Sequence, residues 1–224
     1  MIKFAPEGYW FIFGSLLITV VLSIFLFWVR KAGSSHLVIS FFIAAFWVFL
    51  ILIFFMVFFF RDPDRKIPEG EGLFVSPADG RVMLIKDVFE KDYLKAETRE
   101  ISIFMSPLDV HVNRAPCDGK VTTIKYSPGK YMAAYKEDSS IKNENIVMVL
   151  EGEQSRVLVR QVAGFLARRT VCRAKVGDVL KRGQRYGIIK FSSRLDVYLP
   201  KDAGITIKMG EKVKAGETVI AVVN

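Results

Sequence analysis

Residues 1–60 hold two uncharged apolar runs, and only Lys3, Glu7, Arg30 and Lys31 are charged in that stretch. Tyr9–Val29 is 21 residues long and Leu37–Phe60 is 24. At a helical rise of about 1.5 Å per residue, each run reaches roughly 30 Å, the thickness of a bilayer's hydrocarbon core. The pattern predicts a transmembrane helical hairpin that turns at 30–36, with Trp10, Trp28 and Trp47 in or near the interfaces. One span plus one buried core helix is the alternative. A cleaved signal peptide does not fit, because the first run is too long and lacks a basic start and a small-residue cleavage site. Lys3, Arg61, Arg65 and Lys66 flank the hairpin on one side, against Arg30 and Lys31 in the turn. The positive-inside rule then puts both termini on the cytoplasmic side of the cell membrane.

Residues 61–224 carry the other 29 basic and 22 acidic residues, a net charge of about +7. These 164 residues are enough for a real core. The composition excludes a disordered chain, a disulfide-stapled miniprotein and a polytopic transporter. Cys117 and Cys172 lie 55 residues apart without a CxxC spacing, as reduced cytosolic thiols do, and suggest no metal site. The basic balance suits an anionic lipid surface. Nucleic acid is excluded as a partner by the anchor and by the lack of an aromatic-basic motif.

Three segments follow: a two-helix anchor over 1–60, a charged Pro/Gly-rich linker over 61–72, and a β domain over 73–224. Strands are expected at Leu73–Val75, Arg81–Val88, Glu100–Phe104, Gly119–Tyr126, Asn145–Glu151, Arg156–Val162, Tyr186–Phe191, Asp196–Leu199 and Thr218–Val223, with one helical turn at Phe165–Arg169. "PADGRV" (Pro77–Val82) recurs as "PCDGKV" (Pro116–Val121), and "VGDVLKRGQ" (Val176–Gln184) recurs as "MGEKVKAGE" (Met209–Glu217). The Asp-Gly pairs signal tight turns. The expected fold is mainly β, compact and pseudo-symmetric. It is similar to the barrel-sandwich hybrid of biotinyl and lipoyl domains, a likeness of architecture that carries no function.

Taken singly, the polar candidates have ordinary readings. His36 sits in the hairpin turn. His111 is a lone loop histidine, Asp79 is good turn chemistry, and Ser192-Ser193 is a common loop pair. No zinc ligand set, Walker loop or GxGxxG stands where it would be needed, so a metal or nucleotide enzyme is not supported.

Together the pieces say more. "FFRDPDRKIP" after the spans, then "VSPADGRV", "MSPLDVHVNRAPCDG" and "RYGIIKFSSRLDVYLP" resemble phosphatidylserine decarboxylase in its short bacterial and archaeal form. The resemblance covers 58–224, with four motifs in the family's order. It implies a proenzyme that cleaves itself between Ser192 and Ser193 into a large chain and a small chain. Ser193 would become an N-terminal pyruvoyl group, because serine offers both a nucleophilic oxygen and a leaving group on Cβ. That covalent cofactor, with no metal or nucleotide, would form a Schiff base with the serine head group of an anionic phospholipid and take up the electrons left by carbon dioxide. Whether that lipid is diacyl or archaeal and ether-linked (archaetidylserine) is open.

Asp79 and His111 match the family's PADG and DxH positions and would serve Ser193 as orienting carboxylate and base. Arg61, Arg65 and Arg194, with Lys66, are candidates for the lipid phosphate. Two departures stand out. Arg114 occupies the place of a second histidine, so His111 serves cleavage, decarboxylation or both. Ser192 replaces the usual glycine, whose φ/ψ freedom eases a strained carbonyl into reach. The chain is then competent, slow, or held as a proenzyme. A processing-deficient or non-catalytic lipid-binding β-sandwich module is the alternative function. An export-system adaptor lacks its coiled coil here, and a lipoyl or biotinyl carrier lacks its hairpin-tip lysine. Folds of this kind often pair, so a homodimer is also on the table.

Overall fold

A computed structural model describes residues 3–129, 143–153, 155–164, 169–190 and 193–223, and it divides into two compact units, Met1–Pro63 and Asp64–Asn224.

In the first unit, β1 (Lys3–Phe4) leads through a 3-10 turn at Pro6–Gly8 into α1 (Tyr9–Lys31), α2 (His36–Phe59) and β2 (Arg61–Asp62). β1 and β2 pair antiparallel and close the hairpin at its open end. The expected helical hairpin is present. α1 ends because Gly33 takes φ +70°, and the amides of Gly33 and Ser34 then fold back on the carbonyls of Arg30 and Val29. The helices touch through Phe25 and Phe42, whose rings are 4.8 Å apart. The hydroxyls of Ser15, Thr19 and Ser23 donate to backbone carbonyls one turn back, so none needs water. Trp10, Phe13, Leu17, Phe27, Leu37, Phe41 and Phe54 are exposed along both helices. Only Phe59 of α2 is buried, so α2 is not a core helix. Both helices are long and apolar enough to cross a membrane.

The second unit is built of strands, and the protein is mainly β as expected. In chain order these are β3 (Leu73–Val75), β4 (Gly80–Glu90), β5 (Ala96–Met105), β6 (Val112–Arg114), β7 (Gly119–Ser127), β8 (Asn145–Glu151) and β9 (Arg156–Ala163). There follow β10 (Thr170–Cys172), β11 (Val179–Leu180), β12 (Arg185–Ile189), β13 (Ser193–Pro200), β14 (Gly204–Ile205), β15 (Lys212–Val213) and β16 (Val219–Val222). Eight of them form one curled antiparallel sheet in the order β11-β7-β8-β9-β13-β5-β4-β15. Two three-stranded sheets, β10-β12-β6 and β14-β16-β3, complete the unit.

The sequence repeats explain the symmetry of the large sheet. Each Asp-Gly repeat opens a long strand, β4 or β7, and each Gly-acid repeat supplies a short edge strand. The pairing crosses over: β11 lies on β7 (Val179 opposite Lys120) and β15 lies on β4 (Lys212 opposite Arg81). The flanking hydrogen bonds match too. Val121 exchanges bonds with Asp178 and Gly177 as Val82 does with Glu211 and Gly210. Gly80 takes φ +157°, and a Cβ there would collide with the Phe104 carbonyl, so only glycine lets the repeat turn against β5.

The large sheet is buried on both faces around β13. Leu195, Val197 and Leu199 enter the main core with Ile101, Ile103, Val157 and Val159. Tyr198 packs on the other face with Leu94, Val147, Val149 and Leu158. Burying a leucine such as Leu195 contributes about 2 kcal/mol.

Long strands lie where expected, within a few residues. β13 is the informative difference: it begins at Ser193, three residues before the expected start. Seven of its eight residues are buried, so the usual in–out alternation is hidden. The shorter strands β6, β10, β11, β14 and β15 were not anticipated. Each has only two or three residues, too few to show a period. The expected turn at Phe165–Arg169 falls mostly on 165–168, outside the described residues. From Asp64 on, the charged segment expected as a linker is held against the β unit: Arg182 donates to the carbonyls of Pro68, Gly70 and Leu73.

Candidate active site

Ser193 is fully buried at the first position of β13, with Met105 of β5 on one side and Ala163 of β9 on the other. Its hydroxyl lies 3.3 Å from Met105 Sδ. The same sulfur lies 3.9 Å from Asn113 Nδ2, and Asn113 Oδ1 accepts a 2.8 Å bond from Gln161. This short chain of contacts ties the serine strand to β6, and β6 is the strand that His111 leads into. Ser192 lies outside the described residues, and so does the bond expected to break.

His111 is delivered by a rigid turn. After β5, the Asp109 carboxylate accepts from the Ser106 amide at 2.8 Å, and the Asp109 amide donates to the Ser106 carbonyl at 2.8 Å. That reciprocal pair folds residues 106–109 tightly. His111 is fully buried, and its own carbonyl accepts from the Ile189 amide of β12. Ring Nδ1 stands 2.9 Å from the Asp109 backbone carbonyl. A carbonyl only accepts, so Nδ1 carries the hydrogen. Nε2, also buried, is then the basic nitrogen of the neutral ring.

Asp79 is held differently. Arg65 grips both of its carboxylate oxygens, at 2.9 and 2.7 Å, and the Ala215 amide donates at 2.8 Å. Burial pushes its carboxyl above the usual value; Arg65 pulls it back, and the Asp109 charge adds to the rise. The orienting atom beside His111 Nδ1 is the backbone oxygen of Asp109.

The arginines expected near a phosphate have other engagements. Arg65 pairs with Asp79 and, at 3.4 Å, with Glu217. Arg194 is buried between Asp196 at 2.5 Å and Glu100 at 3.2 Å. In the first unit, Arg61 donates to the Phe58 carbonyl at 2.6 Å and lies over the Phe58 ring. No group of three or more metal-ligating side chains occurs among the described residues.

Asp109 and Asn113 are plain in the sequence as neighbours of His111, but the contacts they make, and the parts of Met105 and Gln161, are not. Gln161 left a trace, being a polar side chain at an inward position of the apolar run Arg156–Ala163. Met105 left none, since an apolar strand end is commonplace.

A buried serine opens a strand that touches, through Met105, the strand His111 leads into, and a serine and a histidine are groups able to do acid–base and acyl chemistry. The relatives are proenzymes. Phosphatidylserine decarboxylase proenzyme of Geotalea uraniireducens is 44% identical over 219 residues, covering 97% of this chain and 95% of that one. The protein of that name from Citrifermentans bemidjiense is 45% identical over the same shares. The one from Syntrophus aciditrophicus is 44% identical over 190 residues, 83% of this chain and 89% of that one. The family model for phosphatidylserine decarboxylase matches residues 52–221. The chain belongs to the phosphatidylserine decarboxylase family, and it is a decarboxylase of phospholipid metabolism.

Proposed function

We propose that the protein converts phosphatidylserine to phosphatidylethanolamine with a pyruvoyl group made from its own Ser193. The observation that carries this reading is the burial of Ser193 at the start of β13, joined through Met105 to the strand behind His111.

In self-cleavage, His111 Nε2 takes the Ser193 hydroxyl proton, and the oxygen attacks the Ser192 carbonyl carbon. The Ser193 nitrogen leaves with a proton, and the peptide becomes an ester. Loss of the Ser193 α-proton then breaks the Cβ–O bond. Ser192 departs as a carboxylate and residue 193 is left as dehydroalanine. Tautomerisation and addition of water expel ammonia and leave the ketone. The burial of Ser193 beside the Met105 thioether supports this reading, because it keeps bulk water from hydrolysing the ester before elimination. The ketone supplies an electron sink for the pair that carbon dioxide leaves behind. His111 then holds the proton that Cα requires. Asp79 holds Arg65 and the Ala215 amide in place.

The acyl chains of the substrate stay in the bilayer, so the domain must work at its surface. The hairpin provides that attachment, and the flanking basic residues support the cytoplasmic side. Ser193→Ala tests the reading: purified variant should release no carbon dioxide from phosphatidylserine in mixed micelles. Release at the wild-type rate would refute it.

A further inference from the structure

Alternate side chains of β13 point to opposite faces of the sheet. Ser193 lies on the face of Leu195, Val197 and Leu199, against the Met105 sulfur that Asn113 also touches. Arg194, the next residue, faces the other way into a cluster of charges. Its Nε donates to Asp196 at 2.5 Å on the same strand. Its Nη2 donates to Ser102 at 2.8 Å and to Glu100 at 3.2 Å on the neighbouring β5. Arg194, Asp196, Glu100 and Ser102 are at most 4% exposed. Lys86, on β4, reaches the second oxygen of Glu100 at 3.4 Å.

Such a cluster is a poor way to gain stability. Desolvating these charges costs about as much as their attraction returns, and apolar residues of the same volume would do as well. What the cluster does supply is register. The guanidinium links β13 to β5, and a slip of one residue would turn Arg194 into the core.

Register matters here because cleavage makes residue 193 a chain end. Strand ends fray, and misplacing a reactive atom by about 1 Å costs roughly 100-fold in rate. We propose that Arg194 is a positioning residue: its buried pairing with Asp196, Glu100 and Ser102 holds the new end of β13 in register, so that the ketone stays fixed beside His111. This inference rests on the self-cleavage reading above.

The test compares wild type with the triple variant Arg194→Met/Glu100→Gln/Asp196→Asn, which removes the cluster without leaving a buried charge alone. The triple variant should keep its melting temperature within a few degrees and still be cleaved. Its kcat should fall by about 10-fold or more with KM within about two-fold. The first amides of the small chain should exchange hydrogen faster than in wild type, while those of β5 and β9 stay unchanged. Arg194→Lys alone, which keeps a cation in the cluster, should recover part of the loss. Should the triple variant fail to fold, Arg194→Lys carries the same comparison, with a smaller fall in kcat and faster exchange confined to the same amides. Wild-type turnover and wild-type exchange in a cleaved variant would overturn the inference alone. A wild-type chain that stays whole would overturn the self-cleavage reading, and the inference with it.

Discussion

His111 Nδ1 lies 2.9 Å from the backbone carbonyl oxygen of Asp109, two residues earlier in the same tight turn. A backbone oxygen only accepts, so it holds the hydrogen on Nδ1 and leaves Nε2 as the lone-pair nitrogen of the neutral ring. The orienting role that a carboxylate plays in the familiar triad is available here from the main chain.

The first prediction follows for His111→Ala. Removing a positioned base slows proton transfer by about 10²–10⁴-fold. The variant should therefore run as a single full-length band on a denaturing gel after purification. A variant that is cleaved but inactive would move His111 to the protonation of Cα.

Arg65 and Asp79 support a second prediction. Arg65→Met leaves the largely but not fully buried Asp79 carboxylate with the Ala215 amide alone, at a cost of up to about 3 kcal/mol. Arg65→Met/Asp79→Asn should regain most of that, as read by thermal unfolding in detergent.

The pH dependence has a definite sign. Burial raises the folded pKa of Asp79 above 3.8, so the folded chain holds this proton where the unfolded chain has lost it. Wild type should lose stability relative to Asp79→Asn as pH rises from below 3.8 through the raised value. A difference between the two that stays constant across that window would contradict the assignment.

Cys117 is pushed up to about 12, chiefly by burial, with the Asp118 charge adding to it. The thiol should resist iodoacetamide at pH 8 in the folded protein and react once denatured. Mass spectrometry of the alkylated peptides reads this directly.

The hairpin turn around Gly33 should lie across the membrane from residues 61–224. A cysteine placed at Ser34 should react with an impermeant maleimide from outside intact cells, and one placed at Lys66 should not. The reverse pattern would invert the orientation.

How far the residues alone reveal this protein differs from element to element. The hairpin was legible because lipid demands an unbroken apolar length. β4, β7 and β8 were legible from their turns and their length. The two repeats announced a symmetric sheet, yet their crossed pairing, β11 on β7 and β15 on β4, is a long-range fact that no local pattern encodes. Ser193 and His111 stood out through motifs in order, and their burial was not legible there. Asp79 shows the limit most clearly. The turn PADG was plain, but its partner Arg65 sits 14 residues upstream in a segment that looked like a solvated linker. Arg194 had the look of a phosphate ligand, because a sequence shows a charge without showing the two carboxylates that fold around it.

The central claim is that one peptide bond rebuilds itself into the reactive group. Intact mass spectrometry of the denatured, purified protein tests it most directly. The account predicts two chains, residues 1–192 and 193–224, the smaller lighter than its sequence by the ammonia lost and blocked to amino-terminal sequencing. A single chain of 224 residues with an unmodified Ser193, together with turnover of phosphatidylserine, would contradict it.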